Sequence, residues 1–414
     1  MQHHSVESNN IVEKVVDSDA KSSAVKDKET SLYRQVSAFG YSGAFTIVVG
    51  EKGGYGGAGC YICNETTHLA TDSVERQKRM AAISFNPRVN LRIGKDSHQH
   101  GPVIEEIEGL INVYKDGHVE RLPIVPNVAC TVAPELGVVS RDVTIDNFKN
   151  TWARFYVPRC QGKVPFLVYF HGGGFCVGSA SWSCYHEFLA KLASKAGCVI
   201  MSVNYRLAPE NRLPAAYDDG CNAIMWVKQQ ALNGSDEQRW WWAQCNFSKV
   251  ILAGDSAGAN IAHNVATRVG SLIPPLCIKG TILIQPFFGG EARTHSERYM
   301  KQPPTSALTL TAADVYWRLS LPIGANRDHP WCNPLGGTNL EALRVPPTLV
   351  CISEMDILRD RNFEFCIAMA RVGKTVEHVM YKGVGHAFHI LQNSQLSQTR
   401  THEMISHIKA FINQ

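Results

Sequence analysis

Val250-Ile-Leu-Ala-Gly-Asp-Ser-Ala-Gly258 carries the strongest structural signal in the sequence. The apolar run Val250–Ala253 leads directly into a G-x-S-x-G pentapeptide, and an alanine-rich helical segment, Ala257–Val269, follows at once. A sharp strand-to-helix turn of this kind lifts a serine hydroxyl above a sheet, and it needs small neighbours because the backbones around it pack closely. Ser256 is therefore a candidate nucleophile. The alternative is an ordinary strand-to-helix turn that contains a serine.

A second glycine-rich signal lies upstream, where the candidate strand Phe166–Phe170 ends in His171-Gly-Gly-Gly-Phe175. A glycine run after a strand leaves backbone N–H groups free to face a developing oxyanion. On its own such a run is more often a flexible connector, and the G-x-S-x-G pattern downstream makes it specific. The candidate oxyanion-hole residues are Gly172, Gly173, Gly174 and Ala257.

A serine at its free pKa needs a base and an acid that orients this base, and with this kind of turn the chain order is Ser, acid, His. The strand Thr348–Ser353 runs into Glu354-Met-Asp356. We favour Asp356 because it lies just past the carboxyl end of its strand, where open α/β sheets place their sites. Glu354 is hardly past the strand and Asp360 already belongs to the next helix; both are alternatives.

The candidate base follows the next strand, Val376–Tyr381, in Gly383-Val-Gly-His386-Ala-Phe-His389. Glycines flanking His386 let its loop reach over the serine, so we favour His386. His389 is the alternative, although it lies beyond the glycine-flanked turn. A lone histidine more often fills a core or faces solvent, but the ordered set of serine, acid and histidine favours catalysis.

From about Ile104, short β-rich runs alternate with helical ones, which is typical of an α/β sheet with crossover helices. The later strands are apolar throughout, as in parallel strands covered on both faces, and the early ones, split by Lys115-Asp-Gly117, look like hairpins. The candidate strands are Leu110–Tyr114, Val138–Ile145, Ala153–Val157, Phe166–Phe170, Cys198–Val203, Val250–Ala253, Thr281–Gln285, Thr348–Ser353 and Val376–Tyr381. The candidate helices lie near Tyr185–Ala196, Ala215–Gln230, Ala257–Val269 and Asp360–Arg371, before a final helix with Met404, Ile405, Ile408, Phe411 and Ile412 on one face.

Residues 291–333 interrupt this alternation with prolines and a helical piece around Ala312–Leu319. An insertion after a strand can form a lid or a wall of the substrate pocket. A connecting segment that simply packs on the domain is an equal alternative. The candidate wall residues are Val177, Ser183, Tyr185, Tyr205 and Trp317.

Composition excludes several functional classes. The 414 residues are 44% hydrophobic, and 41 lysines and arginines against 37 acids give a net charge of only +4. Such a dispersed charge argues against nucleic-acid or anionic-membrane partners. No apolar run approaches the ~18 residues of a membrane-spanning helix. Thirteen scattered cysteines and no apolar opening segment predict a cytoplasmic location, with the nucleus as an alternative.

Signals for metals and cofactors are weak. Cys60-Tyr-Ile-Cys63 has no second pair downstream and His98-Gln-His100 lacks a third ligand, so we interpret them as an accidental pair and a surface loop. Trp240-Trp-Trp242 is expected to pack rather than bind a ligand. No phosphate loop is present and no dinucleotide G-x-G-x-x-G precedes a helix, so we expect no metal and no cofactor.

Four motifs together resemble one family. They are His171-Gly-Gly-Gly-Phe-Cys-Val-Gly178, Asn204-Tyr-Arg-Leu-Ala-Pro-Glu210, Gly254-Asp-Ser-Ala-Gly258 and Gly383-Val-Gly-His-Ala-Phe388. From about Met80 to the C-terminus, the sequence is similar to the plant carboxylesterases of the hormone-sensitive-lipase group. The resemblance implies an α/β-hydrolase fold, with a mixed, mostly parallel sheet flanked by helices and an N-terminal cap. It also implies a triad of Ser256, Asp356 and His386.

The same group includes relatives that do not hydrolyse esters. Gibberellin receptors resemble these esterases but lack the catalytic histidine, and isoflavonoid dehydratases resemble them with threonine in place of the nucleophile. This chain keeps Ser256 and His386. The resemblance therefore implies a serine carboxylesterase that acts on small carboxylic esters. A small-molecule hormone receptor, or a lyase or cyclase on the same fold, is the alternative.

The front of the chain departs from the family. Residues 1–79 begin with the polar stretch Met1–Thr30, whereas Met80-Ala-Ala-Ile-Ser-Phe-Asn-Pro looks like an ordinary family N-terminus. We expect residues 1–79 to be a disordered leader or a mispredicted upstream extension. Residues 80–414 are expected to form one hydrolase domain with cap elements at about 80–110 and 291–333, as a monomer or weak homo-oligomer.

Overall fold

The computed structural model describes residues 100–303 and 306–414. The predictions for residues 1–79, for the front of the cap segment at 80–99, for the Cys60–Cys63 pair and for His98 lie outside these residues. Within the described part of the chain, no helix is both long enough and apolar enough to cross a bilayer.

The described residues form two β-sheets, one of three strands and one of nine. All nine candidate strands are present. The sequence missed β3 and β9, which have only three and two residues, and β1, which contains two adjacent glutamates. The strands are β1 (Val103–Ile107), β2 (Ile111–Tyr114), β3 (Val119–Arg121), β4 (Val138–Asp146), β5 (Thr151–Pro158), β6 (Val164–Phe170), β7 (Val199–Asn204), β8 (Cys245–Asp255), β9 (Leu272–Ile273), β10 (Leu276–Ile284), β11 (Thr348–Ser353) and β12 (Val376–Tyr381).

The large sheet confirms the predicted mixed, mostly parallel arrangement. Its order is β12-β11-β10-β8-β6-β7-β5-β4, with β9 antiparallel to β10. Strand β5 runs antiparallel to both of its neighbours, and the strands from β7 to β12 along this order are parallel. The order reverses between β6 and β8, where Phe170 pairs with Gly254. A crevice beyond the carboxyl ends of the strands at such a point is where open α/β sheets bind ligands.

Helices cover both faces of this sheet. Helices α1 and α9 bury Leu189 and Ile408 on one face, and α2, α4 and α7 bury Ile224, Ile261 and Phe365 on the other. The apolar face predicted for the last helix is confirmed, because its five named side chains are all buried. The helices are α1 (Ser183–Ala196), α2 (Ala215–Asn233), α3 (Arg239–Trp242), α4 (Ala257–Val269), α5 (His295–Tyr299), α6 (Leu310–Ser320), α7 (Arg359–Arg371), α8 (Phe388–Leu391) and α9 (Gln395–Asn413).

The small sheet of β1, β2 and β3 is antiparallel, and the hairpin predicted at Lys115-Asp-Gly117 joins β2 to β3. Arg121 anchors it to the body of the protein. Its guanidinium donates to the carbonyl oxygens of Cys176 (2.7 Å) and Ala208 (2.9 Å). It also donates to both carboxylate oxygens of Glu210, at 2.7 and 2.6 Å. Because a guanidinium can donate several hydrogen bonds at once, this one side chain links the small sheet both to the end of the glycine loop and to the segment that follows β7.

Trp241 confirms that the tryptophan run packs in the core. It is fully buried and stacks on Trp226 and Phe166, with ring centroids 5.6 and 5.8 Å apart. The neighbouring Trp240 lies edge-on to Phe155 at 6.0 Å. Aromatic rings in such contact contribute more than their buried area alone.

Trp241→Ala should lower the free energy of unfolding by about 3–5 kcal/mol, because it leaves a large cavity beside the sheet. Trp242→Ala is the matched control, since its ring is only partly buried and donates a hydrogen bond to the carbonyl oxygen of Ser235. That hydrogen bond contributes about 1 kcal/mol, so this variant should lose less stability than Trp241→Ala. Urea unfolding of the two variants measures both costs, and equal losses would contradict the packing role of Trp241.

Candidate active site

Ser256 lies on a sharp turn between β8 and α4, with φ 52° and ψ −119°. Two backbone hydrogen bonds to the end of β10 hold the turn: Ser256 N–H donates to Ile284 O (2.8 Å), and Phe287 N–H donates to Ser256 O (3.0 Å). Glycine is required at 258, since a Cβ there would lie 1.9 Å from the carbonyl oxygen of Phe170. The small residues of the pentapeptide therefore allow α4 to start against the end of β6.

The loops after β11 and β12 bring Asp356 and His386 to this serine. His386 Nε2 lies 2.9 Å from Ser256 Oγ, and His386 Nδ1 lies 2.7 Å from Asp356 Oδ2. The other carboxylate oxygen of Asp356 accepts the N–H of Leu358 at 3.0 Å, which fixes the carboxylate plane. All three side chains of this set are buried. Water therefore competes little for these hydrogen bonds.

The alternative residues have other partners. Glu354 accepts the N–H of Gly383 at 2.9 Å, and Asp360 accepts the N–H of Ser296 at 2.6 Å. His389 packs edge-on against Phe188, with ring centroids 4.9 Å apart, and burial lowers its pKa to about 3. None of the three is hydrogen-bonded to the serine or to His386 in the described part of the chain.

The expectation that Gly172 belongs to the oxyanion hole is wrong. Its N–H is donated to Tyr185 Oη at 2.8 Å and to Asp255 Oδ1 at 3.0 Å, so it is not available to a substrate. Among the described residues, no acceptor takes the N–H of Gly173, Gly174 or Ala257. These three donors, close to Ser256, are the ones an oxyanion could use.

Asp255 connects the serine turn to the glycine loop. The carboxylate is buried and accepts hydrogen bonds from Tyr169 Oη (2.8 Å), Tyr185 Oη (3.0 Å) and the Gly172 N–H. Burial raises the pKa of this carboxyl to about 6, although the donors act in the opposite direction. A charge in this position is tolerated because donors surround it. Asp255 thus holds the first glycine of the loop in place.

A largely apolar pocket with a cavity volume of about 80 Å³ leads to Ser256. Of the wall candidates, Val177 and Tyr185 line it and Ser183, Tyr205 and Trp317 do not. Tyr205 stacks on His171 behind the loop, at 4.3 Å between ring centroids, and Trp317 stacks on Phe287 at 4.5 Å. The other lining residues include Leu110, Ile124, Trp182, Leu308, Tyr316 and Ile390.

Comparison with known proteins identifies the family. A family model described as alpha/beta hydrolase fold matches residues 167–390. The protein called "Probable carboxylesterase 6" from Arabidopsis thaliana is 54% identical over 323 residues, which cover 77% of this chain and 94% of that protein. The chain belongs to the plant carboxylesterases of the α/β-hydrolase family.

Two further relatives show the breadth of the family. The carboxylesterase is 33% identical to "Gibberellin receptor GID1A" from Arabidopsis thaliana over 365 residues, covering 83% of the chain and 99% of that protein. A solved esterase from Pyrobaculum calidifontis is 30% identical, with a TM-score of 0.55, and covers 66% of the chain and 84% of that structure. The predicted resemblance to plant carboxylesterases and its kinship with gibberellin receptors are confirmed.

Several residues around the site of the carboxylesterase were not predicted from the sequence. Asp255 lies inside the G-x-S-x-G motif, and its polar side chain next to the serine was an available signal. Tyr169 lies in β6 and reads as an ordinary strand residue. Gln285, at the end of β10, accepts the N–H of Ala387 at 2.7 Å, a contact between positions 102 residues apart. No local pattern predicts such a contact.

Asp255 should make the stability of the carboxylesterase fall as pH rises from about 4 to about 6. Its pKa is about 6 when folded and about 3.9 when unfolded. Below about pH 4 both states are protonated, and between these values the unfolded chain loses its proton first, so unfolding becomes easier by up to about 3 kcal/mol. Asp255→Asn removes this titration while keeping an acceptor oxygen.

The measurement is urea unfolding of the wild type and of Asp255→Asn at several pH values in this range. The difference in unfolding free energy between the two proteins isolates the contribution of Asp255 from that of the other titrating groups. A difference that stays constant with pH would contradict the raised pKa.

Proposed function

We propose that this carboxylesterase hydrolyses small carboxylic esters through an acyl-enzyme on Ser256, with His386 as the general base and Asp356 as its orienting acid. The observation that carries the proposal is the unbroken hydrogen-bonded chain from serine to histidine to aspartate, at 2.9 and 2.7 Å. Both distances lie within the range for proton transfer and for orientation of the base. Binding a hormone would require no such chain.

In the acylation half, Ser256 Oγ attacks the ester carbonyl carbon while its proton passes to His386 Nε2. The Asp356 carboxylate, at Nδ1, holds the ring in the tautomer that leaves Nε2 free to accept, and it stabilises the imidazolium. The N–H groups of Gly173, Gly174 and Ala257 stabilise the oxyanion, where one donor is worth about 3 kcal/mol. The imidazolium then donates its proton to the leaving alcohol.

In the deacylation half, a water molecule takes the place of the alcohol. His386 accepts a proton from this water as it attacks the acyl carbonyl, and the same N–H groups stabilise the second oxyanion. Collapse of this intermediate breaks the bond to Ser256 Oγ, which recovers its proton from His386. The products are a carboxylic acid and an alcohol, and the enzyme returns to its starting state.

The pocket favours small esters with an apolar part. Leu110, Ile124, Leu308 and Ile390 contribute aliphatic side chains to its wall. Burial of an acyl chain against them gains about 25 cal/mol per Å² of apolar surface.

We also propose that the protein acts in the cytoplasm, as a monomer or weak homo-oligomer.

Ser256→Ala should abolish hydrolysis of a short p-nitrophenyl ester without unfolding the protein, a loss on the order of a million-fold in kcat. Asp356→Asn should lower kcat by about 10⁴-fold, because the imidazole loses the partner that fixes its tautomer. Labelling by an organophosphonate should follow the same order, since it uses the same nucleophile and base.

His389→Leu is the matched control, because it removes the alternative histidine from an apolar environment and leaves His386 intact. Its kcat should match that of the wild type. Turnover that survives Ser256→Ala, or wild-type protein that neither hydrolyses the ester nor reacts with the phosphonate, would refute the mechanism and favour a binding function.

The chain Met80–Gln414 should retain the esterase activity of the whole protein, within about two-fold in kcat/KM, since every residue of the described site lies within it. The test compares turnover per serine labelled by the phosphonate in the full-length and shortened chains. The shortened Ser256→Ala variant supplies the inactive reference. A shortened chain that folds, by circular dichroism, but has lost turnover would overturn this prediction.

A further inference from the structure

Gln285 occupies a demanding position between the serine and histidine loops. It directly follows β10, it is almost fully buried, and its φ of 48° lies in the left-handed region. Its N–H donates to the carbonyl oxygen of Cys351 in β11 at 2.8 Å. A residue with a side chain in this region costs free energy that the surroundings must offset.

The side-chain amide of Gln285 is hydrogen-bonded on both sides of His386. Its Oε1 accepts the N–H of Ala387 at 2.7 Å, and its Nε2 donates to the carbonyl oxygen of Gly385 at 3.1 Å. Nε2 also donates to Ser353 Oγ. The Gly385 carbonyl belongs to the peptide bond that precedes His386, and the Ala387 N–H belongs to the one that follows. One planar amide therefore restrains both peptide bonds that set the direction of the His386 side chain.

The backbone on either side of Gln285 restrains the serine. Ile284, the residue before it, accepts the N–H of Ser256, and Phe287, two residues after it, donates its N–H to the carbonyl oxygen of Ser256. The segment Ile284–Phe287 therefore contacts Ser256 through its backbone and the loop of His386 through one side chain. One short segment is therefore hydrogen-bonded both to the candidate nucleophile and to the loop of the candidate base, which lie 130 residues apart in the sequence.

We propose that Gln285 is a positioning residue for the hydrolytic reaction: it keeps His386 Nε2 at hydrogen-bond distance from Ser256 Oγ. This proposal rests on the proposed function. It has a physical reason, because catalytic groups must be held within about 0.5 Å of their productive geometry, and a displacement of about 1 Å can cost a hundred-fold in rate. Gln285 does not touch the reacting atoms, so its effect passes through the orientation of His386.

The test compares three variants of the full-length protein. Gln285→Met keeps the length and volume of the side chain and removes both hydrogen bonds to the His386 loop. Gln285→Glu keeps an oxygen that can accept the N–H of Ala387. It replaces the Nε2 donor, which binds the carbonyl of Gly385, with a second carboxylate oxygen. Thr281→Val is the matched control, because it removes a buried hydrogen bond of 2.6 Å between Thr281 and Thr348 in the same pair of strands. It does not touch the His386 loop.

Turnover of a short p-nitrophenyl ester is normalised to the folded fraction of each variant, measured by circular dichroism, so that unfolded protein does not contribute. Gln285→Met should lower kcat by about 10- to 100-fold with little change in KM. Gln285→Glu, which keeps the acceptor for Ala387 and loses the donor to Gly385, should lower kcat by a smaller factor, again with little change in KM. Thr281→Val should lower the melting temperature and leave kcat and KM unchanged.

A merely structural role would give a different result. Gln285→Met or Gln285→Glu with the wild-type kcat per folded protein would overturn the proposal. If Gln285→Met does not fold, the kcat of Gln285→Glu decides. The proposed function fails separately, through turnover in Ser256→Ala, so an inactive Ser256→Ala together with normal Gln285 variants refutes the positioning role alone.

Discussion

The backbone turn at Ser256 constrains everything around it. Its φ of 52° and ψ of −119° lie outside the regions that side-chain-bearing residues favour, and the turn also forces α4 to begin against the carbonyl of Phe170. Such a conformation persists only where neighbouring groups hold it. Here the neighbours are Ile284 and Phe287, which hydrogen-bond to both the N–H and the carbonyl of Ser256. The placement of β10 beside β8 is therefore a condition for the geometry of the serine.

The buried carboxylate of Asp255 imposes the second constraint. A carboxylate away from water must be surrounded by donors, and here they come from Tyr169 in β6, Tyr185 in α1 and the N–H of Gly172. Because Gly172 is used in this way, the glycine run divides into one residue that anchors the loop and two whose N–H groups remain available near Ser256. The electrostatic need of one buried group thus determines which donors can face a substrate.

Much of the fold follows from short-range pattern, because a run that is apolar at every position is typical of a strand covered on both faces, as in a parallel sheet. The candidate site could be located in the same way, since its motifs lie at strand ends. Contacts between residues on different strands and loops could not be predicted from the sequence. Tyr205 and Trp317 looked like wall residues, yet both pack behind the pocket. Tyr316 lines it instead, because successive residues of α6 point about 100° apart. The hydrogen bonds between Gln285 and the His386 loop likewise depend on the order of the strands in the sheet, which no local pattern encodes.

Backbone strain is concentrated at the site. Among the described residues, five that are not glycine have a positive φ: Asn150, Phe175, Ser256, Gln285 and Ala387. Four of them belong to the glycine loop, the serine turn, the end of β10 and the His386 loop, and Asn150 alone lies in a distant hairpin. Each such conformation costs on the order of 1–3 kcal/mol, so four around one pocket is too large a cost for packing alone to explain. A pocket evolved only to hold a ligand would need walls of the right shape, whereas a reaction needs a serine, a base and oxyanion donors aimed at one atom. The distribution of strain in this chain therefore favours hydrolysis over binding as its activity.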